Sequence, residues 1–357
     1  MVPKKRIDEI LDGYDPSKIT IATLCSHSSL QIFHGARKMG FRTIGLVTKK
    51  NEKIYDAFPL AKPDEFIEYA DFDDMNERTG ELLDKNAILI PHGSFVEYMG
   101  AKKFEDFEVP SYGNRGVLQW ESDRALQRQW ITSAGAPMPR LITDAREIKE
   151  PVMVKYHGAK GGRGFFIAKD YPDFKMGIDN SQPYTIQEYC LGTRYYLHFF
   201  YDPLKTDGYR IKQGGSLELL SIDRRDESNI DEMYKLGSIE DAKRHGLYPS
   251  FVVTGNTPVV IRESLLPKAF EMAENIVNRS YELFGGMWGP FCLETVVNDK
   301  LEFRVFEIST RIVAGTNPFI NGSPYAEMIY PGLSTGGRMA MEIRDAIASK
   351  ELKTLIS

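Results

Sequence analysis

The sequence predicts an α/β chain, with a doubly wound parallel domain over residues 1–118 and a strand-rich unit of α+β character over residues 119–357. Three observations predict it. An apolar strand, a serine-rich turn, an amphipathic helix and a second apolar strand follow one another between residues 19 and 47, the order that builds parallel sheets. A lysine-bearing strand runs into a glycine-rich turn and out into another strand between residues 152 and 168. From there to about residue 313 the pattern is mostly that of strands, the exception being a helix from Pro267 to Phe284.

Bulk composition narrows the function. The 357 residues suffice for two or three compact units. With 42% hydrophobic and 27% charged residues, the chain has the composition of a soluble globular enzyme. A net charge of −5 lacks the basic excess that phosphate contacts to a nucleic acid require. The short clusters Lys4–Lys5–Arg6 and Lys49–Lys50 read as solvated surface. No apolar run reaches the roughly 18 residues of a membrane span. Met1 to Tyr14 is charged from its fourth residue and has no apolar signal core. An intracellular, cytoplasmic protein is expected. Cys25, Cys190 and Cys292 stand far apart in apolar, strand-like contexts, which predicts buried free thiols rather than disulfides or a zinc site.

In chain order, Lys5 to Gly13 is helix-like, and Ile19 to Leu24 is a β-branched apolar run that reads as a buried strand. It ends in Cys25-Ser26-His27-Ser28-Ser29. A helix follows with Leu30, Phe33, Ala36 and Met39 on one side and Gly40 as its stop, then the strand Thr43 to Val47. Ala87 to Ile90 is a further strand, ending in Pro91-His92-Gly93-Ser94. Ligands of open parallel sheets sit beyond the carboxyl ends of the strands, where both serine- and histidine-bearing turns fall. Their hydroxyls suit a phosphate or a sugar. The alternative is structural: Ser28 or Ser29 caps the helix and His27 is a bystander. Gly116 to Ala134 is helical and is broken by Gly135-Ala136-Pro137-Met138-Pro139, and Gly336 to Ala348 is again helical.

Three segments carry chemistry. Lys155 on a strand is followed by Gly158, Gly161, Gly162 and Gly164 before the strand Phe165 to Ala168. Glycines let backbone N–H groups close over phosphate oxygens, and Lys155, Lys160 and Arg163 would offset their charge. This is neither a Walker loop, which runs Gly-Lys-Ser/Thr into a helix, nor a dinucleotide fingerprint; a glycine-rich hairpin with basic tips is the bland alternative. Next, Gln187-Glu188-Tyr189-Cys190-Leu191-Gly192 reads as an edge strand and hinge of the kind that lines an adenine pocket, or as any amphipathic strand. Last, Gly289 to Glu294 and Leu301 to Arg311 read as a hairpin turning at Asn298-Asp299-Lys300. That geometry sets Glu294 near Glu307, with Val305 and Phe303 on the face of Glu307. Two carboxylates so placed need a cation between them; Mg²⁺, or Mn²⁺ in its place, fits oxygen donors and bound phosphate. Arg311, four residues on, would meet the same phosphates.

This order of lysine strand, glycine loop, hinge, Glu294, Glu307 and Arg311 resembles the ATP-grasp fold over roughly residues 120 to 340, and the first unit resembles the α/β domain that precedes it. Many members carry Asn where this chain has Ser309, which departs from the usual third metal ligand. A closer resemblance lies in Thr23-Leu24-Cys25-Ser26-His27-Ser28-Ser29-Leu30, Pro91-His92-Gly93-Ser94-Phe95, Gly113-Asn114-Arg115, Asp223 to Asp231, Thr254 to Ser264 and Ala314-Gly315-Thr316-Asn317. These segments resemble the archaeal formate-dependent purine ligase family, PurP. The resemblance implies ATP- and formate-dependent formylation of 5-aminoimidazole-4-carboxamide ribonucleotide through formyl phosphate, a late step of purine biosynthesis, by a homo-oligomer. It implies that His27, Ser94 and Asn256 contact the ribonucleotide. Lys155, Gly161, Gly162, Gly164, the hinge Glu188-Tyr189-Cys190 and Glu227 would contact ATP, and Glu294 and Glu307 would hold the metal. Lys155, Arg311 and His27 would act on the reacting groups, and His27 or His198 would serve as base or as a mere contact. The rivals are an ATP-grasp ligase joining another carboxylate and amine, and a nucleotide-binding paralogue without turnover.

Overall fold

The computed structural model describes the whole chain apart from residues 27, 49–51, 158–163, 248–249 and 251. Of the residues singled out above, His27, Lys49, Lys50, Gly158, Lys160, Gly161, Gly162 and Arg163 lie outside the described ones.

Residues β1 (Thr20–Leu24), β2 (Arg42–Val47), β3 (Glu65–Glu68) and β4 (Ala87–Leu89) form a parallel sheet in the order β3-β2-β1-β4. Every residue of β1 is buried, as a strand covered on both faces must be. The helix Ser29–Lys38 covers one side with Ile32, Phe33 and Ala36. A second helix from the far end of the chain, Thr335–Ser349, crosses it in backbone contact. A Cβ on Gly35 would lie 2.3 Å from the Gly337 nitrogen, and one on Gly336 would lie 2.4 Å from the Gln31 carbonyl oxygen. Only glycine permits that approach. The helix Thr335–Ser349 thus packs on the first sheet, although the sequence puts it at the end of the strand-rich unit.

The helical run 116–134 is two helices, Val117–Ser122 and Arg124–Ser133. Asp123 separates them in an extended conformation, and its carboxylate caps the second by accepting from the amides of Ala125 (2.8 Å) and Leu126 (3.0 Å). A small antiparallel sheet follows: β5 (Leu141–Ile142), β6 (Val152–Tyr156), β7 (Phe165–Ala168) and β8 (Tyr184–Glu188), ordered β5-β8-β6-β7. The strand bearing Glu188 is therefore interior. The two residues of β5 pair along it, a partner too short to leave a pattern in the sequence.

The large sheet comprises β9 (Thr193–Asp202), β10 (Tyr209–Arg210), β11 (Ser216–Glu227), β12 (Val253–Pro258), β13 (Gly289–Val297) and β14 (Phe303–Ser309). Its order is β10-β11-β9-β13-β14, with β12 against β11, and all its pairs are antiparallel. Leu197, Phe199, Leu219, Phe291, Leu293 and Val305 fill the core beneath the helix Leu266–Phe284, which contributes Met272, Ile276 and Val277. The alternate residues Tyr196, His198, Asp223, Cys292 and Glu294 occupy the opposite face. Three helices interrupt what reads as mostly strand: Tyr171–Gly177, Ser228–Lys235 and Ile239–Arg244. The first is started by Asp170, whose carboxylate accepts from the Asp173 amide at 2.9 Å, with Pro172 in its opening turn. Among the described residues, no helix is long and apolar enough to cross a membrane.

Candidate active site

The two acids singled out from the hairpin face each other, and a bulge is what makes them do so. At the turn, Asn298 Oδ1 accepts from the amides of Lys300 (3.0 Å) and Glu302 (2.9 Å). From there the ladder pairs Val297 with Phe303, Val296 with Arg304 and Thr295 with Val305. An unbroken ladder would next set Glu294 against Phe306. Instead the register shifts by one residue, and Glu294 faces Glu307. Simple alternation puts Val305 and Phe303 on the face of Glu307. The bulge overturns this, and both side chains turn into the core.

Glu294 and Glu307 line a cavity of about 490 Å³ with Gly93, Glu121, Arg124, Arg225, Ser309, Arg311 and Val313 among its walls. Burial, and then the Glu307 charge, push Glu294 up to about 8; Arg225, Arg311 and a hydrogen bond from Ser309 Oγ (3.3 Å) oppose this. Glu307 is also raised, chiefly by burial, and Arg124, Arg311 and Lys155 oppose the rise. Glu307 remains open to the cavity, so water tempers its shift. Two facing acids with oxygen donors fit a divalent cation. No group of three or more His, Cys, Asp or Glu side chains that could hold a metal occurs among the described residues. A cation here would take its other oxygens from phosphate and water.

A pH dependence follows from these raised values. An acid whose folded pKa lies above its unfolded one contributes stability at low pH and loses it as pH rises through the folded value. The metal-free protein should therefore lose stability between about pH 4.5 and pH 8 from this pair. Added Mg²⁺ should raise the melting temperature more at pH 8 than at about pH 6, because protons compete for the same oxygens. Thermal unfolding at both pH values, with and without Mg²⁺, checks this; an equal shift at the two would refute it.

Arg311 is anchored beside the acids. Its Nη2 lies 2.7 Å from Glu121 Oε1, and the other Glu121 oxygen accepts from the Thr310 amide and hydroxyl, both at 2.7 Å. Its Nε is buried with no hydrogen-bond partner among the described residues.

The two strand-end turns of the first sheet meet as expected. Ser94 Oγ donates to Ser26 Oγ at 2.8 Å. His92 is fully buried; its Nδ1 accepts from the Ser94 amide (3.3 Å), which leaves Nε2 to donate to the Leu24 carbonyl (2.9 Å). A parallel bridge from His92 to Ile312 ties this turn to the segment after β14, and Gly93 lies against Arg311. Ser28 precedes the helix Ser29–Lys38 but makes no capping bond, and its buried hydroxyl has no hydrogen-bond partner among the described residues. Ser29 bonds Tyr55 Oη at 2.7 Å instead of capping. The capping alternative therefore fails for both serines.

The remaining candidates are dispersed. Lys155 sits on β6, its pKa lowered by burial and by Arg124 and Arg194, while Glu307 pulls it upward. Gly164 closes the turn before β7 with φ 76°. The Glu188 carboxylate accepts from the Arg140 amide (3.1 Å) and lies 3.6 Å from Arg304. Tyr189 follows it, its amide donating to Pro151 O at 3.4 Å. Cys190 is half-buried, with burial raising its thiol to about 11; Cys25 and Cys292 are buried, and all three are free. Glu227 ends β11 and pairs with Arg194 at 2.8 Å. Asn256 faces Arg225 across β11 and β12, with its Oδ1 buried and unpartnered. His198 is 3% exposed, with Nε2 2.6 Å from Asp223 Oδ1. Sequence reasoning missed Glu121, Asp223 and Arg225 as lining or anchoring groups. The signal was the alternation of Asp223 and Arg225 along one strand.

Comparisons with known proteins extend over the whole chain. A family model described as a domain of unknown function (DUF1297) matches residues 176–357, and one described as a protein of unknown function (DUF1246) matches residues 21–142. The chain is 57% identical, over 100% of both chains, to the 5-formaminoimidazole-4-carboxamide-1-(beta)-D-ribofuranosyl 5'-monophosphate synthetase of Methanothrix thermoacetophila. Among solved structures, the IMP biosynthesis protein PurP from Thermococcus kodakaraensis is similar with a TM-score of 0.71 and 28% identity, covering 94% of this chain and 100% of that one. The N5-carboxyaminoimidazole synthetase of Staphylococcus aureus complexed with ADP shares the fold at a TM-score of 0.58 and 16% identity, over 91% of this chain and 77% of that one.

Proposed function

We propose that this chain, which belongs to the family of archaeal 5-formaminoimidazole-4-carboxamide-1-(beta)-D-ribofuranosyl 5'-monophosphate synthetases, joins formate to the 5-amino group of 5-aminoimidazole-4-carboxamide ribonucleotide with cleavage of ATP. The chain has the ATP-grasp fold and is an ATP-dependent ligase of purine biosynthesis. The observation that carries the reading is the facing pair Glu294 and Glu307 in a cavity lined by Arg124, Arg225 and Arg311. Such a site gathers anions and neutralises phosphate.

Formate is a poor acyl donor because its carboxylate is charged and resonance-stabilised. A formate oxygen attacks the γ-phosphorus, the bond from γ-phosphorus to the bridging oxygen breaks, and ADP leaves, giving formyl phosphate. The 5-amino nitrogen then attacks the formyl carbon, inorganic phosphate departs, and the nitrogen loses a proton. Mg²⁺, or Mn²⁺, held by Glu294 and Glu307 would supply charge neutralisation at the phosphates. Lys155 and Arg311 would orient and neutralise the γ-phosphoryl group; among the described residues, no acid lies within ion-pair distance of the desolvated Lys155. Glu188, Tyr189, Cys190 and Glu227 would frame the nucleotide, with the glycine loop over its phosphates. Ser94 beside Ser26, with a buried Ser28 hydroxyl that has no partner among the described residues, supports a polar site for the ribonucleotide on the first sheet, to which His27 and Asn256 of β12 would contribute. A homo-oligomer in the cytoplasm completes the reading; exposed Tyr234 and Leu236, from the helix Ser228–Lys235 and its end, support association.

The test is ADP release with formate and the ribonucleotide added singly and together, with other carboxylates and amines in parallel. Release that requires both is expected. Release with a different carboxylate or amine, and none with this pair, would assign the chain another ligase activity.

A further inference from the structure

One guanidinium in the cavity is held by its neighbours yet left unspent. Arg311 pairs one Nη with Glu121 at 2.7 Å and is assigned above to the γ-phosphoryl group, and Arg124 stands exposed at the rim. Arg225 is only 12% exposed. Its Nε lies 3.1 Å from Asp223 Oδ2, and its Cζ lies 4.1 Å from the centroid of the Tyr196 ring. The fork is thus covered on one side by an aromatic face and ion-paired at its base with a carboxylate, a contact whose geometry is not that of a hydrogen bond. Its terminal nitrogens have no hydrogen-bond partner among the described residues, and Arg225 lines the cavity.

Register places this fork next to the chemistry. Asp223 pairs with Tyr196, Tyr196 with Glu294, and Glu294 with Glu307, so four strands carry these residues in one row. Arg225 is two residues along β11 from Asp223 and on the same face. Asp223 itself is fully buried and clamped. His198 Nε2 lies 2.6 Å from its other oxygen, and a Cβ on Gly315 would lie 2.4 Å from Oδ2. The glycine after Ala314 is what lets this segment close over the carboxylate.

We propose that Arg225 receives the carboxylate substrate, pairing its two terminal nitrogens with the two oxygens of formate beside Glu294, and that Asp223 is the positioning residue whose charge holds the guanidinium under the Tyr196 ring. The inference rests on the reading of the chain as a formate ligase. A bidentate pair leaves each formate oxygen a further lone pair, so one can still attack the γ-phosphorus. It also fixes which oxygen points at the phosphate.

The experiment measures steady-state KM for formate, ATP and the ribonucleotide, together with kcat, in the parent, Arg225→Met, Arg225→Lys and Asp223→Asn. Arg225→Met should raise the formate KM about 10- to 100-fold and move the ATP KM less than about threefold. Arg225→Lys, which keeps the charge but not the fork, should fall between Met and the parent, and it serves if the Met variant does not fold. Added guanidinium should lower the formate KM of Arg225→Met and leave the parent unchanged. Asp223→Asn should raise the formate KM less than Arg225→Met does. A formate KM unmoved in both Arg225 variants, or an equal rise for ATP, overturns the assignment while formate-dependent activity in the parent stands. A parent that releases no ADP with formate and the ribonucleotide overturns the functional reading and this assignment with it.

Discussion

Glu307→Gln should abolish turnover, by about 10²-fold or more, while the protein folds and unfolds at or slightly above the parental temperature. Glutamine keeps the shape of the side chain and removes its charge. The two effects separate because the same carboxylate pair that would hold the cation is a liability without one. Burial and the facing charge raise Glu294, so removing the charge of Glu307 relieves the metal-free protein. The bulge keeps residue 307 on the cavity face, and the ladder from Val297–Phe303 to Thr295–Val305 does not depend on its chemistry. The measurements are ADP release across a Mg²⁺ titration and thermal unfolding without metal. Normal turnover of the variant at low Mg²⁺ would refute the metal role, and a large loss of stability would mean that Glu307 is a structural residue.

That Glu294 and Glu307 lie near each other was legible because an unbroken hairpin keeps the sum of paired residue numbers constant, which sets Glu294 within one residue of Glu307, and the turn at Asn298 was plain. The bulge that flips Val305 and Phe303 was not, since nothing in Arg304-Val305-Phe306-Glu307 marks an extra residue. The parallel sheet was legible from β1, helix and β2, whose apolar runs are long. β5, with two residues, and the short helix Tyr171–Gly177 carry too few positions to show a period. Asp123 was overlooked for a related reason: an acidic cap inside an amphipathic run interrupts no hydrophobic pattern. The polar site proposed for the ribonucleotide was half legible. Two serine turns at strand ends pointed to it, but the Ser26–Ser94 bond spans 68 residues and only the sheet order β1-β4 creates it. Arg225 and Asp223 entered only within the segment Asp223 to Asp231 that carries the family resemblance, with no role read for them, because their setting lies in what packs above them, the Tyr196 ring and the glycine at 315.

Arg338→Met should destabilise the protein by about 3–5 kcal/mol, the cost of leaving buried acids without their cation. Arg338 is 2% exposed on the helix Thr335–Ser349. Its Nη2 lies 2.6 Å from Asp202 and its Nε 2.8 Å from Glu218, both on the large sheet, and its guanidinium stacks 4.4 Å from the Phe200 ring centroid. The same helix crosses Ser29–Lys38 through Gly35, Gly336 and Gly337. One arginine therefore ties the sheet that carries Glu294 to the sheet that carries Ser26 and Ser94. Lys205 at 2.8 Å remains for Glu218, but among the described residues Asp202 keeps no cation within ion-pair distance. The melting temperature should fall by roughly 5–10 °C. The ribonucleotide KM should rise, because the distance between the two sheets is no longer fixed. Adding Asp202→Asn and Glu218→Gln to Arg338→Met removes the stranded charges and should recover most of the lost stability. A triple variant no more stable than Arg338→Met would locate the contribution in packing on Phe200 and Tyr330 instead of in charge, and an Arg338→Met protein that melts with the parent would show that the clamp holds nothing.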